Sequence, residues 1–223
     1  MDAVRVALLR EVLAGTQWPG AARRFAGSLR RSVVPGGGKS GGNLLLVGTE
    51  QYEPWHLAAH LVDEAAWSGL PELAPTLVRH HVLPGEPPHL SVGLSRLEAA
   101  RRGYTLLVVA PEQPGAGLLE RVHDARRAGA TVLSLDGGDP DLGALAHDAL
   151  SVAEDCAVGA PPWGSPRTES GGGGRGMDLD TVQHLVSAAA GENSLPAQHG
   201  PRRFRDRLAR LADQLTAPPP SRW

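Results

Sequence analysis

Two hydrophobic periods alternate along this chain. Val4, Val6, Leu8, Leu9, Val12 and Leu13, then Ala22, Phe25, Ala26 and Leu29, recur at helical spacing through residues 3–31. Arginines occupy the other side of the second stripe, and Pro19-Gly20 is the expected break between the two. From Asn43 onward, short apolar runs take turns with amphipathic stretches. The pattern predicts strands at 43–48, 76–82, 104–110, 131–135 and 149–152. Helices are expected between them, at 54–68, 91–102, 116–128 and 141–147. The runs at 43–48 and 104–110 are apolar at successive positions rather than alternate ones, so both of their faces must be covered. The expected fold is therefore α/β: a doubly wound, flavodoxin-like, five-stranded parallel sheet with flanking N- and C-terminal helices. Strands 43–48 and 104–110 should lie adjacent and central.

Outside that rhythm the chain changes character. The stretch 159–176 holds Pro161-Pro162 and four consecutive glycines from Gly171, and reads as a flexible loop. Asp178 is placed to cap a helix running to Ala190. A basic amphipathic helix is expected at 201–215, with Phe204, Leu208, Leu211 and Leu215 on one side. The expected organisation is a helical region at 1–34, an α/β core at 43–155, the loop at 159–176, and C-terminal helices at 178–215. The terminal helices carry more apolar surface than one edge of a small sheet can cover. That predicts a homodimer or larger homo-oligomer with these helices in the contact.

Composition narrows the function classes. Hydrophobic residues make up 41% of the chain but aromatics only 4%, so Leu, Val and Ala must build the core. No apolar run reaches the length of a membrane span, and no basic region precedes an apolar block, so neither a membrane nor a secretory role is expected. A single cysteine, Cys156, permits no internal disulfide, and a cytoplasmic location is expected. The net charge of −2 excludes nucleic-acid binding by bulk attraction. Lys39 is the one lysine among 22 basic residues, and isoleucine is absent. That usage follows from GC-rich codons, so the arginine count says little about phosphate recognition.

Three stretches invite a chemical reading. Gly38-Lys39-Ser40 looks like the end of a phosphate-binding loop, but Val33 stands where its first glycine belongs, and the stretch precedes a strand instead of following one. Gly115 and Gly117 follow an apolar strand and open a helix, with Asp136 ending the next strand, which is half of a dinucleotide fingerprint. Glu120 stands where its third glycine belongs. His56, His60 and Glu64 recur at i, i+4 and i+8 on one helix, a spacing that puts two imidazoles and a carboxylate on a shared face, away from Leu57, Leu61 and Ala65. Such a set suits zinc or another divalent ion at His56 and His60; no ligand from a separate element is evident in the spacing, although His184 is a candidate.

Residues 43–155 resemble a SIS domain, the sugar-isomerase fold that binds phosphosugars. His56-Leu57-Ala58-Ala59-His60-Leu61 is similar to a stretch of phosphoheptose isomerases whose His and Glu take part in a metal site. Leu118 to Asp136 and Asp141 to Val152 also resemble the second half of that fold. The resemblance implies a ligand site on the loops after the first and third strands: Gly48, Thr49, Glu50 and Gln51 on one, Glu112, Gln113, Gly115 and Gly117 on the other. An aldose–ketose isomerase would need acid–base groups, and Glu64, Glu120, His56 and His184 are the ones available, with Glu64, Glu120 and His184 as the catalytic candidates.

These loops depart from the family pattern. Family members hold phosphate with Ser and Thr hydroxyls, whereas Thr49 is the one Ser/Thr hydroxyl in the first loop here and the second loop has none. Two prolines, Pro111 and Pro114, further remove amide donors. Glu50, Glu53 and Glu112 would surround a dianion, at a cost of about 4 kcal/mol per close like-charge pair. A helix N-terminus offsets only about 0.3–1 kcal/mol of that. The expectation is a SIS-like, oligomeric, non-catalytic module that binds a carbohydrate derivative. Its alternatives are a metal-assisted aldose–ketose isomerase and a nucleotide-binding Rossmann-like protein.

Overall fold

The computed structural model describes residues 11–34, 43–152 and 177–192. All belong to one unit, Met1–Glu192; the second unit, Asn193–Trp223, lies outside them. The expected loop at 159–176, the helix at 201–215, Cys156 and the Lys39 stretch also fall outside the described residues.

Five strands form one all-parallel sheet: β1 (Leu44–Val47), β2 (Thr76–Val78), β3 (Thr105–Ala110), β4 (Thr131–Asp136) and β5 (Asp148–Ser151), in the order β2-β1-β3-β4-β5. Adjacent β1 and β3, paired Leu46 to Leu107, are both interior, as their unbroken apolar runs require. The pleat then divides the core. Leu44 and Leu46 face one layer, with Leu107, Val109, Leu133 and Leu135. Leu45, Val47, Leu106, Val108 and Val132 face the other.

The first layer is covered by α1 (Trp18–Val33), α2 (Trp55–Ser68) and α5 (Leu179–Gly191), and the second by α3 (Ala116–Arg127) and α4 (Pro140–Leu145). The apolar stripe of α1, from Ala22 to Val33, is spent inside this core, as are Val182, Leu185 and Val186 of α5. Of the other apolar positions in the terminal stripes, Val12 is exposed, and Val4 to Leu9 and the 201–215 stretch lie outside the described residues. Arg30 joins the two helices by donating to the carbonyls of Ala190 (2.8 Å) and Glu192 (2.5 Å), the orphan acceptors at the end of α5.

Three local expectations are corrected. Pro19-Gly20 does not break a helix but sits in the first turn of α1, where the missing proline N–H has no helical acceptor to lose. Residues 91–102 do not form an α-helix; Leu94–Ala99 is a 3-10 helix. The segment is pinned at both ends, by a bridge from Gly93 to Arg79 and by the entry into β3, which leaves room only for tighter i→i+3 bonds. Strand β2 ends its pairing with β1 at Val78, and the Arg79 amide instead bonds the Val92 carbonyl at 2.8 Å, in a bridge to Gly93.

Candidate metal centre

The loop from β1 to α2 folds tightly on itself. A Cβ on Gly48 would sit 1.8 Å from the Tyr52 carbonyl oxygen and 2.7 Å from Pro54, so only glycine fits. Thr49, buried, donates its hydroxyl to Glu112 of the loop after β3 and accepts the Tyr52 amide at 3.1 Å. The one Ser/Thr hydroxyl of the first loop is thus engaged within the protein. This turn launches α2 at Trp55, which places His56 in the first helical turn and His60 one turn further on.

His184 reaches the same place from α5, whose start is set by Asp178 accepting the Thr181 amide at 2.7 Å. The three rings converge: His56 to His60 is 4.5 Å between centroids, and His184 lies 4.7 Å from each. One ring nitrogen from each falls within 4.8 Å of the others. Beside them, fully buried Gln183 donates to the Tyr52 hydroxyl at 2.8 Å and thereby ties α5 to the β1 loop.

His60 is the centre of this cluster. It is buried, and neither of its ring nitrogens has a hydrogen-bond partner. An imidazole out of water with both nitrogens unmatched is costly unless something else engages them. Burial, followed by the charges of His184 and His56, pushes its pKa down to about 4. His60 is therefore neutral at pH 7, which leaves a ring nitrogen lone pair free to bind a cation. Nitrogens sharing one zinc at about 2.0–2.1 Å lie about 3.4 Å apart, so small ring rotations would close the cluster on an ion. Three imidazoles select zinc or another borderline transition metal and disfavour magnesium or calcium, which take oxygen ligands.

The remaining candidate residues are dispersed. Glu64 is buried on α2 but is not part of the histidine cluster; it fills the space beside Gly191, where a Cβ would meet its Oε2 at 1.7 Å. Glu120 is exposed on α3, on the opposite side of the sheet from the histidines. Glu50 points outward, 3.6 Å from His81, and Gln51 is exposed beside it. Glu53 is paired with Arg79, so the expected crowd of carboxylates is broken up by an arginine.

Glu112 and Gln113 line an open cleft of about 350 Å³ with Gly137, Gly138 and Asp139. Gly115 caps α3 and Gly117 follows in its first turn. Asp136 is fully buried, and its Oδ1 accepts the Gly138 amide and the Ser151 hydroxyl, both at 2.8 Å. It closes its own turn and presents no carboxylate to a ribose.

No protein-family model and no curated protein matches the chain. Among solved structures it is similar to a protein from Salmonella typhimurium LT2 described as sugar binding, at 16% identity and a TM-score of 0.47, covering 92% of this chain and 51% of that one. This chain thus spans about half the length of the Salmonella protein. A second similarity is to the sugar isomerase domain of the RpiR transcription factor from Sphaerobacter thermophilus, at 13% identity and a TM-score of 0.46, covering 86% and 85% of the two chains. A third is to the Vibrio vulnificus NanR protein complexed with ManNAc-6P, at 12% identity and a TM-score of 0.41, covering 96% and 73%.

Proposed function

We propose that this chain is a SIS-like module that binds a carbohydrate derivative without isomerising it, and that it holds a zinc-class divalent ion at His56, His60 and His184. The observation that carries the metal reading is buried His60, with both ring nitrogens unmatched at the meeting point of two further imidazoles. Three protein ligands leave a coordination position for an oxygen of the bound molecule. When present, the ion supplies the positive charge that the hydroxyl-poor loops lack.

A binding role follows from where the acid–base candidates stand. Isomerisation needs one group to move a proton between adjacent carbons and another to open the ring. Glu120 is across the sheet, Glu64 is buried against Gly191, and His184 is committed to the cluster.

The test is a cobalt and zinc titration of the purified full chain, read by the cobalt visible bands and by calorimetry. One tetrahedral site per chain is expected, at least 100-fold weakened in His60→Ala. Equal binding by wild type and His60→Ala would refute the metal centre. Thermal shifts with sugar phosphates, with and without zinc, then test the ligand class.

A further inference from the structure

We propose that Tyr52 is the positioning residue of the histidine centre, and that it links the centre to the loop after β3. This rests on a metal being held at the histidines. Tyr52 stands between the two helices that carry them. Its backbone belongs to the tight turn that launches α2, four residues before His56. Its side chain holds α5 at two points: the hydroxyl accepts the Gln183 amide at 2.8 Å and donates to Asp180 at 3.2 Å. Burial is the main reason that the Tyr52 pKa is raised, so the hydroxyl keeps the proton it donates.

Those two contacts fix how α5 is turned. Gln183 is fully buried, and among the described residues its side chain is oriented only by Tyr52 and Asp180. Asp180 lies one helical turn before His184, and Gln183 directly precedes it. The rotation of α5 that aims His184 at His56 and His60 is therefore set from the β1 loop.

The same residue is joined to the far loop. The Tyr52 amide donates to the Thr49 hydroxyl at 3.1 Å, and buried Thr49 in turn donates to Glu112. Glu112, Thr49, Tyr52 and Gln183 thus form one continuous hydrogen-bonded path from the loop after β3 to the residue beside His184. An ion on the histidines fixes His184, and with it that end of the path. Both loops are then held in one arrangement, and a molecule docking on them no longer bears the cost of ordering them. Linkage makes the effect mutual: a carbohydrate derivative seated on the loops tightens the metal.

The experiment is hydrogen exchange of the full chain, read by mass spectrometry with zinc and with a chelator, alongside cobalt spectra. In the wild type, zinc should slow exchange about fivefold at the amides of residues 49–53 and of residues 112, 113 and 115. Tyr52→Phe keeps the ring but loses both hydroxyl contacts. It should bind zinc about tenfold more weakly, dim the cobalt visible bands per bound ion, and lose the slowing in both segments. Glu112→Ala cuts the path at its last link, so it should keep the slowing at 49–53 and lose it at 112–115. A wild type that binds zinc without slowing either segment would overturn the link, as would Tyr52→Phe or Glu112→Ala exchanging like the wild type. Those results leave the metal centre standing, whereas a wild type without cobalt bands refutes the centre and the link together.

Discussion

His60 concentrates the physical chemistry of the proposed centre in one side chain. Its pKa is about 4 in the folded chain and near 6.5 when unfolded. Between those values the unfolded state binds a proton that the folded state refuses, so stability falls as pH drops from about 6.5 to about 4 and levels off below. Urea titrations at pH 7, 5.5 and 4.5 in the presence of a chelator should show this loss. His60→Phe should show a smaller one; identical slopes would mean that His60 is not buried neutral. Gly48 is the second decisive residue. Gly48→Ala drives a methyl group into the Tyr52 carbonyl and should cost about 1–3 kcal/mol in chemical denaturation. It should also weaken metal binding, because the same turn aims His56.

Among the elements, α2 and α5 matter most, since the histidines meet only if both helices start in register. Asp178 sets that start for α5. Asp178→Ala should remove about 0.5–2 kcal/mol of stability and loosen zinc several-fold through His184. Asp178→Ser, which keeps a capping oxygen, should recover most of both. Glu53, Arg79 and Glu86 play the matching part at α2, by tying the β1 loop to the segment after β2. His60 and Glu64 are not a solvated stripe, because α5 lies over them. The face left in water is the apolar one, Trp55 to Ala66.

For the whole molecule, the sheet acts as a partition. It puts the histidine cluster in one layer and Glu120 in the other, so no single pocket can use both. Turnover of a panel of phosphosugars is therefore expected to stay at background with or without zinc. Robust zinc-dependent turnover that His60→Ala abolishes would show instead that the metal centre is catalytic.

The fold was legible in local pattern. Unbroken apolar runs such as Leu44–Val47 and Thr105–Ala110 can be satisfied only between two layers, and the βαβ rhythm then leaves few arrangements. Asp178 as a cap was equally local, because its partner is three residues away. The candidate centre was half legible. His56 and His60 stand one helical turn apart, and any helix places them together. That His184 joins them depends on α5 crossing α2, a contact between residues 124 positions apart that no periodicity encodes. The same holds for Arg79, which pairs with Glu53 only because β2 runs beside β1. Short-range spacing determined the elements and the histidine pair; burial, the third histidine and the neutralised loop were decided by which helices and strands became neighbours.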